Sequence, residues 1–227
     1  MAPTATYHEI ADRYEEEPAG GRRTRTGPGD AGPLGIGPLL RDLLGEGSGV
    51  CLEVGHTAPV RGTVRELGWT PLGVGPSAGV PRPARDRPPA VRADAGRLPV
   101  RDGSVPAVLA VMVHTDVPDY PAVLREAARV LRPGGVFVHV GEHPCSCGGL
   151  TDRTGPETVV VRPGRADGRA AEGPWTDRGV RDGTGAPHRP LPELLHAFLD
   201  AGLTLERFAE SGAPTPAVLA VGARKYG

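Results

Sequence analysis

The chain has 227 residues, which suffice for one α/β domain but are few for two independent ones. Its 26 basic and 27 acidic residues form no basic stripe interleaved with aromatics, so nucleic acid is not an expected partner. No apolar run reaches the length of a bilayer span, the first residues are polar and acidic, and three cysteines cannot form an even disulfide framework; the sequence therefore predicts a cytoplasmic protein that is not embedded in a membrane.

The first predicted element is an amphipathic helix, in which Tyr7, Ile10 and Tyr14 recur at helical spacing. A linker rich in Gly, Arg and Thr follows it. Residues 1–33 are therefore predicted to form an N-terminal cap helix and linker, and residues 34–227 an α/β domain. The domain is expected to begin with a helix that carries Leu39, Leu40, Leu43 and Leu44.

From residue 50 onward, apolar strands alternate with helices, which is typical of a parallel sheet covered by helices. One helix is predicted around 60–67, and a second is opened by Pro121 and closed by the run Pro133-Gly134-Gly135. The predicted strands are Val50–Val54, Leu72–Val74, Val91–Ala93, Val105–Met112 and Val136–Val140.

The C-terminal third begins with a segment at about 148–190 that shows no periodicity and is predicted to be a lid or insertion. A helix starting at Leu191 and ending at Gly202 follows. The apolar runs Leu203–Phe208 and Val218–Ala223 then flank a turn-forming stretch, which predicts a terminal hairpin.

Six segments carry a family resemblance and run in order over most of the chain: YHEIADRY, VCLEVG, LGWTPLGV, ADAGRLPVRDGSV, REAARVLRPGGVFVHVG and VLAVGARK. They are similar to the motifs of class I, S-adenosylmethionine-dependent methyltransferases that act on small molecules. The resemblance implies an α/β, Rossmann-like fold. Its sheet is seven-stranded and mostly parallel, with a terminal antiparallel hairpin and helices on both faces.

The cofactor loop of that family departs from its usual pattern in this chain. The resemblance implies that Glu53 and Gly55 contact the cofactor, because they match the acid and the first glycine of Glu/Asp-x-Gly-x-Gly-x-Gly. Thr57 and Pro59 occupy the other two glycine places. Glycine serves there because positive φ and close approach to a ligand exclude a Cβ, and proline also removes a donor N–H. The cradle is therefore expected to be reshaped.

A second cofactor contact of the family is missing and a third is kept. The family carries an acid at the end of its second strand that binds the ribose hydroxyls, and Gly75 stands at this place. Losing such a charge-assisted pair is expected to weaken binding by roughly a hundredfold or more. Asp94, followed by Ala95, matches the acid on the adenine side. The sequence favours a protein with no functional cofactor and leaves S-adenosylmethionine as the alternative.

The candidate catalytic residues follow the fourth and fifth strands, because ligands of open α/β sheets bind beyond the carboxyl ends of the strands. His114 and Asp116 follow the fourth strand, and His143 follows the fifth. Either histidine is a candidate general acid or base, the alternative being that it only orients a loop. The resemblance adds Tyr14, in the cap over the active site. His56 stands where the family has a small residue or cysteine beside the cofactor, and in a protein without the cofactor it is a candidate to act on a substrate in the vacated pocket.

A metal site is not predicted, although His143, Cys145 and Cys147 lie close in sequence. Cys-x-Cys lacks the usual zinc-ligand separation, and no second ligand pair follows at a matching distance. His139 lies inside the fifth predicted strand and is interpreted as a core histidine.

These observations favour a repurposed methyltransferase-fold enzyme of natural-product biosynthesis that cyclises or isomerises a small, polyketide-like substrate. Orientation of a flexible substrate in an apolar cavity lowers a barrier without a cofactor. The first alternative is an active S-adenosylmethionine-dependent methyltransferase with His114 or His143 as the base. The second is a non-catalytic partner subunit, and homodimer formation is a further possibility.

Overall fold

The computed structural model describes residues 34–55, 60–75, 90–145, 151–152, 160–161, 189–212 and 216–227. Four helices and nine strands are found in these ranges. The helices are α1 (Ile36–Leu44), α2 (Arg61–Glu66), α3 (Tyr120–Val130) and α4 (Leu191–Asp200). The strands are β1 (Val50–Val54), β2 (Thr70–Gly75), β3 (Ala90–Arg92), β4 (Val105–Val111), β5 (Leu131–Glu142), β6 (Thr151–Asp152), β7 (Val160–Val161), β8 (Leu203–Ser211) and β9 (Val218–Lys225).

A seven-stranded sheet runs in the order β3-β2-β1-β4-β5-β9-β8. The first five strands in that order pair in parallel, whereas β9 pairs antiparallel with β5 and β8 pairs antiparallel with β9. The predicted mostly parallel sheet with a terminal antiparallel hairpin is therefore confirmed. The carboxyl ends of β1 and β4 lie side by side, because Val54 is in register with Ala110.

Helices cover both faces of the sheet, as predicted. Leu52 and Val54 pack into a core with α3 and α4, whereas Cys51 packs into a second core with α1 and α2. This division follows from the alternation of side chains along a strand, which sends neighbouring residues of β1 to opposite faces. Because both faces of the sheet are covered, every residue of β1 except Glu53 is apolar.

Helix α3 begins as its sequence predicts. The Asp119 carboxylate Oδ1 accepts a hydrogen bond from the Ala122 backbone N–H at 2.9 Å, and Pro121 lies in the first turn. An N-cap carboxylate satisfies one of the donors that a helix leaves free at its start. The cap fixes where the chain returns from the edge of the sheet into its core.

The start of β5 differs from the prediction. Leu131 already pairs with Val105, and regular pairing resumes only where Val136 pairs with Ala107. The residues between them, including Gly134 with φ 76°, therefore form an irregularity within the strand instead of a turn before it. The proline and glycines interrupt the ladder but do not end it.

The cap helix and linker predicted at 1–33 lie outside the described residues, and so does most of the lid predicted at 148–190. Within that lid the structure describes a short ribbon, in which Thr151 pairs antiparallel with Val161 and Asp152 with Val160. In the part of the chain that is described, no helix is both long and apolar enough to cross a membrane.

Candidate functional site

The candidate site lies at the carboxyl edge of the sheet, where the chain leaves β1 and β4. Gly55 follows β1 with φ 82°, and a Cβ built on it would lie 2.6 Å from Val113 Cγ2. Met112 follows β4 with φ 55°, alone among the described non-glycine residues in having a positive φ. Its N–H donates to the Val140 carbonyl at 2.7 Å. Met112 thus turns the chain sharply while remaining attached to β5.

Glu53 and Arg61 form a buried ion pair directly behind this edge. Arg61 Nε donates to Glu53 Oε2 at 3.0 Å, and the two residues are 6% and 0% exposed. Glu53 Oε1 and Arg61 Nη2 are buried without a hydrogen-bond partner in the described structure. Burial raises the pKa of the Glu53 carboxyl, and the cations of Arg61 and Arg65 offset part of that increase. The first-strand carboxylate is therefore held by a neighbouring helix.

The side chains expected at the ribose and the adenine differ in what they offer. Strand β2 ends at Gly75, so the described end of this strand offers no carboxylate. A Cβ at this residue would meet nothing within 4 Å. Asp94 is exposed, its Oδ1 accepts a hydrogen bond from the Gly96 N–H at 2.8 Å, and Ala95 beside it is buried. The described residues therefore do not fit the ribose of S-adenosylmethionine, although Gly55 and Asp94 match two other contacts.

His114 and Asp116 share the turn after β4, as expected. His114 is 2% exposed, and the centroid of its ring lies 5.1 Å from that of His139 and 5.9 Å from that of Tyr120. Asp116 is half-buried, and its backbone N–H donates to the Val113 carbonyl at 2.9 Å. The turn therefore presents an imidazole and a carboxylate two residues apart at the edge of the sheet.

Tyr120 and His139 form a buried pair beneath His114 that sequence reasoning missed. The Tyr120 hydroxyl lies 2.7 Å from His139 Nδ1, and both side chains are fully buried. Burial lowers the pKa of His139 to about 3 and raises the pKa of Tyr120, so both groups are neutral near pH 7. The only signal in the sequence was alternation along β5, which directs His139 and Gly141 to one face.

His143 has both ring nitrogens in contact with protein groups. Nε2 lies 2.7 Å from Glu210 Oε1, and Nδ1 accepts a hydrogen bond from the Cys145 N–H at 3.1 Å. A nitrogen that accepts a hydrogen bond carries no proton, so in the neutral ring Nε2–H donates to Glu210. Glu210 comes from β8, and the sequence had not indicated it. The structure therefore brings His114 and Asp116 together, and ties His143 to the terminal hairpin.

Two predicted residues, Tyr14 and His56, lie outside the described part of the chain. At the C-terminal end of the predicted lid, Arg189 Nη2 donates to the carbonyls of Val117 and Pro118 at 3.3 and 2.5 Å. Arg189 therefore fastens the end of that segment to the turn that carries His114 and Asp116. Among the described residues, no three potential metal ligands gather in one place.

Comparison with known sequences supports the predicted resemblance. Residues 57–139 match the family model described as a methyltransferase domain. Over 56 residues the chain is 43% identical to the probable phthiotriol/phenolphthiotriol dimycocerosates methyltransferase 2 of Mycobacterium ulcerans. That segment is 25% of this chain and 22% of the relative, so the chain matches only about a fifth of that protein's length.

Solved structures share the fold over most of the chain. An S-adenosylmethionine-dependent methyltransferase from Mesorhizobium loti aligns with a TM-score of 0.65 and 24% identity, covering 83% of this chain and 96% of its own. The 1,6-didemethyltoxoflavin-N1-methyltransferase of Burkholderia thailandensis, with bound S-adenosylhomocysteine, aligns at 0.63 and 19% over 100% and 93%. The [4+2]-cyclase SpnF aligns at 0.60 and 16% over 84% and 80%. Below 25% identity, these similarities establish the fold alone.

Proposed function

We propose that this chain, which has the fold of the class I S-adenosylmethionine-dependent methyltransferases, is an enzyme that converts a small molecule without methylating it. Its residues 57–139 match the model of a methyltransferase domain. The reaction class is an isomerisation or a ring closure of a flexible, polyketide-like substrate. The substrate binds at the carboxyl edge of the sheet, over the turn that follows β4.

The observation that carries this proposal is the condition of the cofactor side of the edge. Glu53 is buried against Arg61 at 3.0 Å, and β2 ends in a glycine where the family carries the ribose acid. A hydrogen bond to a charged group contributes about 1.5–3 kcal/mol, so losing the pair that the carboxylate makes with the ribose hydroxyls costs roughly a hundredfold or more in affinity for a nucleoside. The same edge retains its potential for proton transfer, because His114 and Asp116 lie on the adjoining turn.

In the proposed mechanism, walls of the site hold the substrate in a reactive conformation, and His114 donates or accepts a proton or a hydrogen bond. Holding the reacting groups of the substrate in the productive geometry lowers the activation barrier by itself. The proposed site also includes Tyr14, which matches the family's cap over the active site, and His56, which stands where the family has a small residue or cysteine beside the cofactor. A [4+2]-cyclase with the same fold supports the idea that this scaffold accommodates ring closure.

Methyl transfer is the second candidate, and specific observations favour it. The family match covers residues 57–139, and the neighbour from Burkholderia thailandensis holds S-adenosylhomocysteine. Gly55 keeps the positive φ of a close-approach loop, and Asp94 keeps its carboxylate at the surface. In that case Gly55 and Asp94 would hold the cofactor, which would supply an electrophilic methyl group, and His114 would take the proton from the acceptor.

Cofactor binding separates the two candidates. Calorimetry of ligand-stripped protein with S-adenosylhomocysteine is expected to give no binding heat up to about millimolar concentrations. The variant Thr57→Gly/Pro59→Gly/Gly75→Asp is expected to gain saturable binding, because it restores the two glycines and the carboxylate of the family pattern. The new side chain at residue 75 fits, since a Cβ there meets nothing within 4 Å. The matched variant with Gly75→Asn lacks the charge and is expected to bind more weakly. Micromolar binding by the unaltered protein would favour methyl transfer instead.

Mass spectrometry tests the reaction class. The protein is incubated with small-molecule extracts, with and without S-adenosylmethionine, and with His114→Ala as the matched control. The proposal expects a substrate that disappears into a product of the same mass, without need for the cofactor. A product heavier by one CH2 that forms only with the cofactor would refute it.

A further inference from the structure

The hydrogen bond between Tyr120 and His139 determines which imidazole nitrogen carries the proton. The Tyr120 hydroxyl lies 2.7 Å from His139 Nδ1. Within the described part of the chain, His139 Nε2 is buried and has no hydrogen-bond partner. If the hydroxyl donates to Nδ1, one buried group stays unsatisfied, namely Nε2–H. If Nδ1–H donates to the hydroxyl, two stay unsatisfied: the hydroxyl proton and the Nε2 lone pair. Unsatisfied buried groups are costly, so Nε2 carries the proton.

His139 Nε2 and His114 Nδ1 both lie close to the backbone of Gly141. A Cβ built on Gly141 would lie 2.7 Å from His139 Nε2 and 2.5 Å from His114 Nδ1. The absence of a side chain at this residue therefore lets both rings pack directly against the strand. The His139 ring is enclosed by Tyr120 and Phe198, whose ring centroids lie 5.5 and 5.8 Å away. Its neighbours thus hold the His139 ring in one position.

We propose that His139 Nε2–H is a donor site for an acceptor oxygen that does not belong to the chain and that lies near the His114 ring. Two sources share this chemistry, a buried water and a carbonyl oxygen of the substrate. Buried waters occupy such places when a polar group would otherwise stay unsatisfied. If the oxygen belongs to the substrate, this assignment deepens the proposed function, on which it then rests. The substrate would carry an uncharged oxygen acceptor, such as a carbonyl, at this place.

The tautomer of His139 is the first test, and it requires no turnover. Long-range 1H–15N correlation spectra of histidine-labelled protein are expected to show His139 protonated at Nε2 and unchanged between about pH 5 and pH 8, as a neutral buried ring requires. In Tyr120→Phe the lock is removed, and the ring is expected to populate both tautomers. A ring protonated at Nδ1 in the unaltered protein would overturn the proposal.

The second test identifies the source of the oxygen. A nuclear Overhauser contact between the Nε2 proton and water in the purified protein identifies a buried water. A saturable shift of that proton on adding cyclohexanone, used as a neutral carbonyl probe, identifies a ligand oxygen. Either result supports the proposal, and the absence of both overturns it.

Two variants control the second test. Gly141→Ala places a methyl group against both rings and is expected to abolish the response, whereas Gly62→Ala, whose Cβ meets nothing within 4 Å, is expected to leave it unchanged. Should Gly141→Ala not fold, His139→Gln supplies a side-chain amide donor in place of Nε2–H, and its amide protons are read in the same way. They are expected to show the water contact or the shift with cyclohexanone, and amide protons that show neither would overturn the proposal. These signals are read without substrate turnover, so their failure is distinct from failure of the proposed function.

Discussion

Replacing Arg61 by methionine is expected to destabilise the protein strongly, because it leaves the Glu53 carboxyl buried without its partner. The pair is joined at 3.0 Å with both side chains almost fully buried. Removing one member of such a pair costs about 3–5 kcal/mol, which for a chain of this size corresponds to a fall in Tm of roughly 6–20 °C. Urea unfolding followed by circular dichroism measures the loss directly.

The controls for this variant use the charges themselves. Arg41→Met removes the exposed partner of Glu66, a pair at 2.6 Å on the surface, and is expected to cost less than about 1 kcal/mol. Glu53→Leu/Arg61→Met replaces the whole pair by apolar groups and is expected to lose less than Arg61→Met alone. The reasoning would be refuted if Arg61→Met lost no more stability than Arg41→Met. It would also be refuted if the double variant lost the sum of the losses of Glu53→Leu and Arg61→Met.

The deficit of Arg61→Met is also expected to depend on pH. Burial already raises the pKa of Glu53, and removal of the guanidinium raises it further. A carboxyl whose folded pKa lies above its unfolded value contributes stability that is fully present below the unfolded pKa and is lost as pH rises through the folded pKa. The deficit relative to the unaltered protein is therefore larger at about pH 8 than at about pH 5. A deficit that grows towards acid pH would contradict this assignment.

Two further substitutions test the edge of the sheet. Gly55→Ala is expected to lower the free energy of unfolding in urea by about 1–3 kcal/mol, because φ is 82° and the new Cβ would lie 2.6 Å from Val113 Cγ2. Adding Val113→Ala to this variant should recover part of the loss. An unchanged unfolding midpoint in Gly55→Ala would contradict the positive φ and the close contact. Asp119→Ala is expected to cost about 1 kcal/mol through loss of the cap on Ala122, with Asp119→Asn close to the unaltered protein; equal losses in the two variants would exclude capping as the cause.

Local patterns were sufficient to predict most of the architecture. The apolar run Val50–Val54 was predicted with the bounds that β1 has, because a strand buried on both faces excludes other assignments. The helix opened by Pro121 was predicted because its start is encoded within one turn. The run Pro133-Gly134-Gly135 misled the prediction, since residues that usually end an element here form an irregularity in β5 that pairing with β4 tolerates.

The candidate site was harder to predict because its contacts join residues that are distant in sequence. His143 meets Glu210 across 67 residues, and Tyr120 meets His139 across 19. Neither pair produces a periodic pattern. Glu53 was predicted from the resemblance as a cofactor contact, but no spacing rule indicated that Arg61 would lie against it, since that depends on how α2 packs over β1 and β2. The residues that follow strand ends, His114 and Asp116, were found because the edge of an open sheet is a property of topology.

The left-handed turn at Met112 ties the candidate catalytic residues to the part of the protein that is expected to open last. Its amide bonds to Val140, at the centre of a sheet whose outer strands are β3 and β8. Amide protons in central strands exchange with solvent only through near-global unfolding, whereas edges fray at low free-energy cost. Partial unfolding that strips β3 or β8 from the sheet therefore leaves the β4–β5 junction, and the His114 ring that follows it, in place.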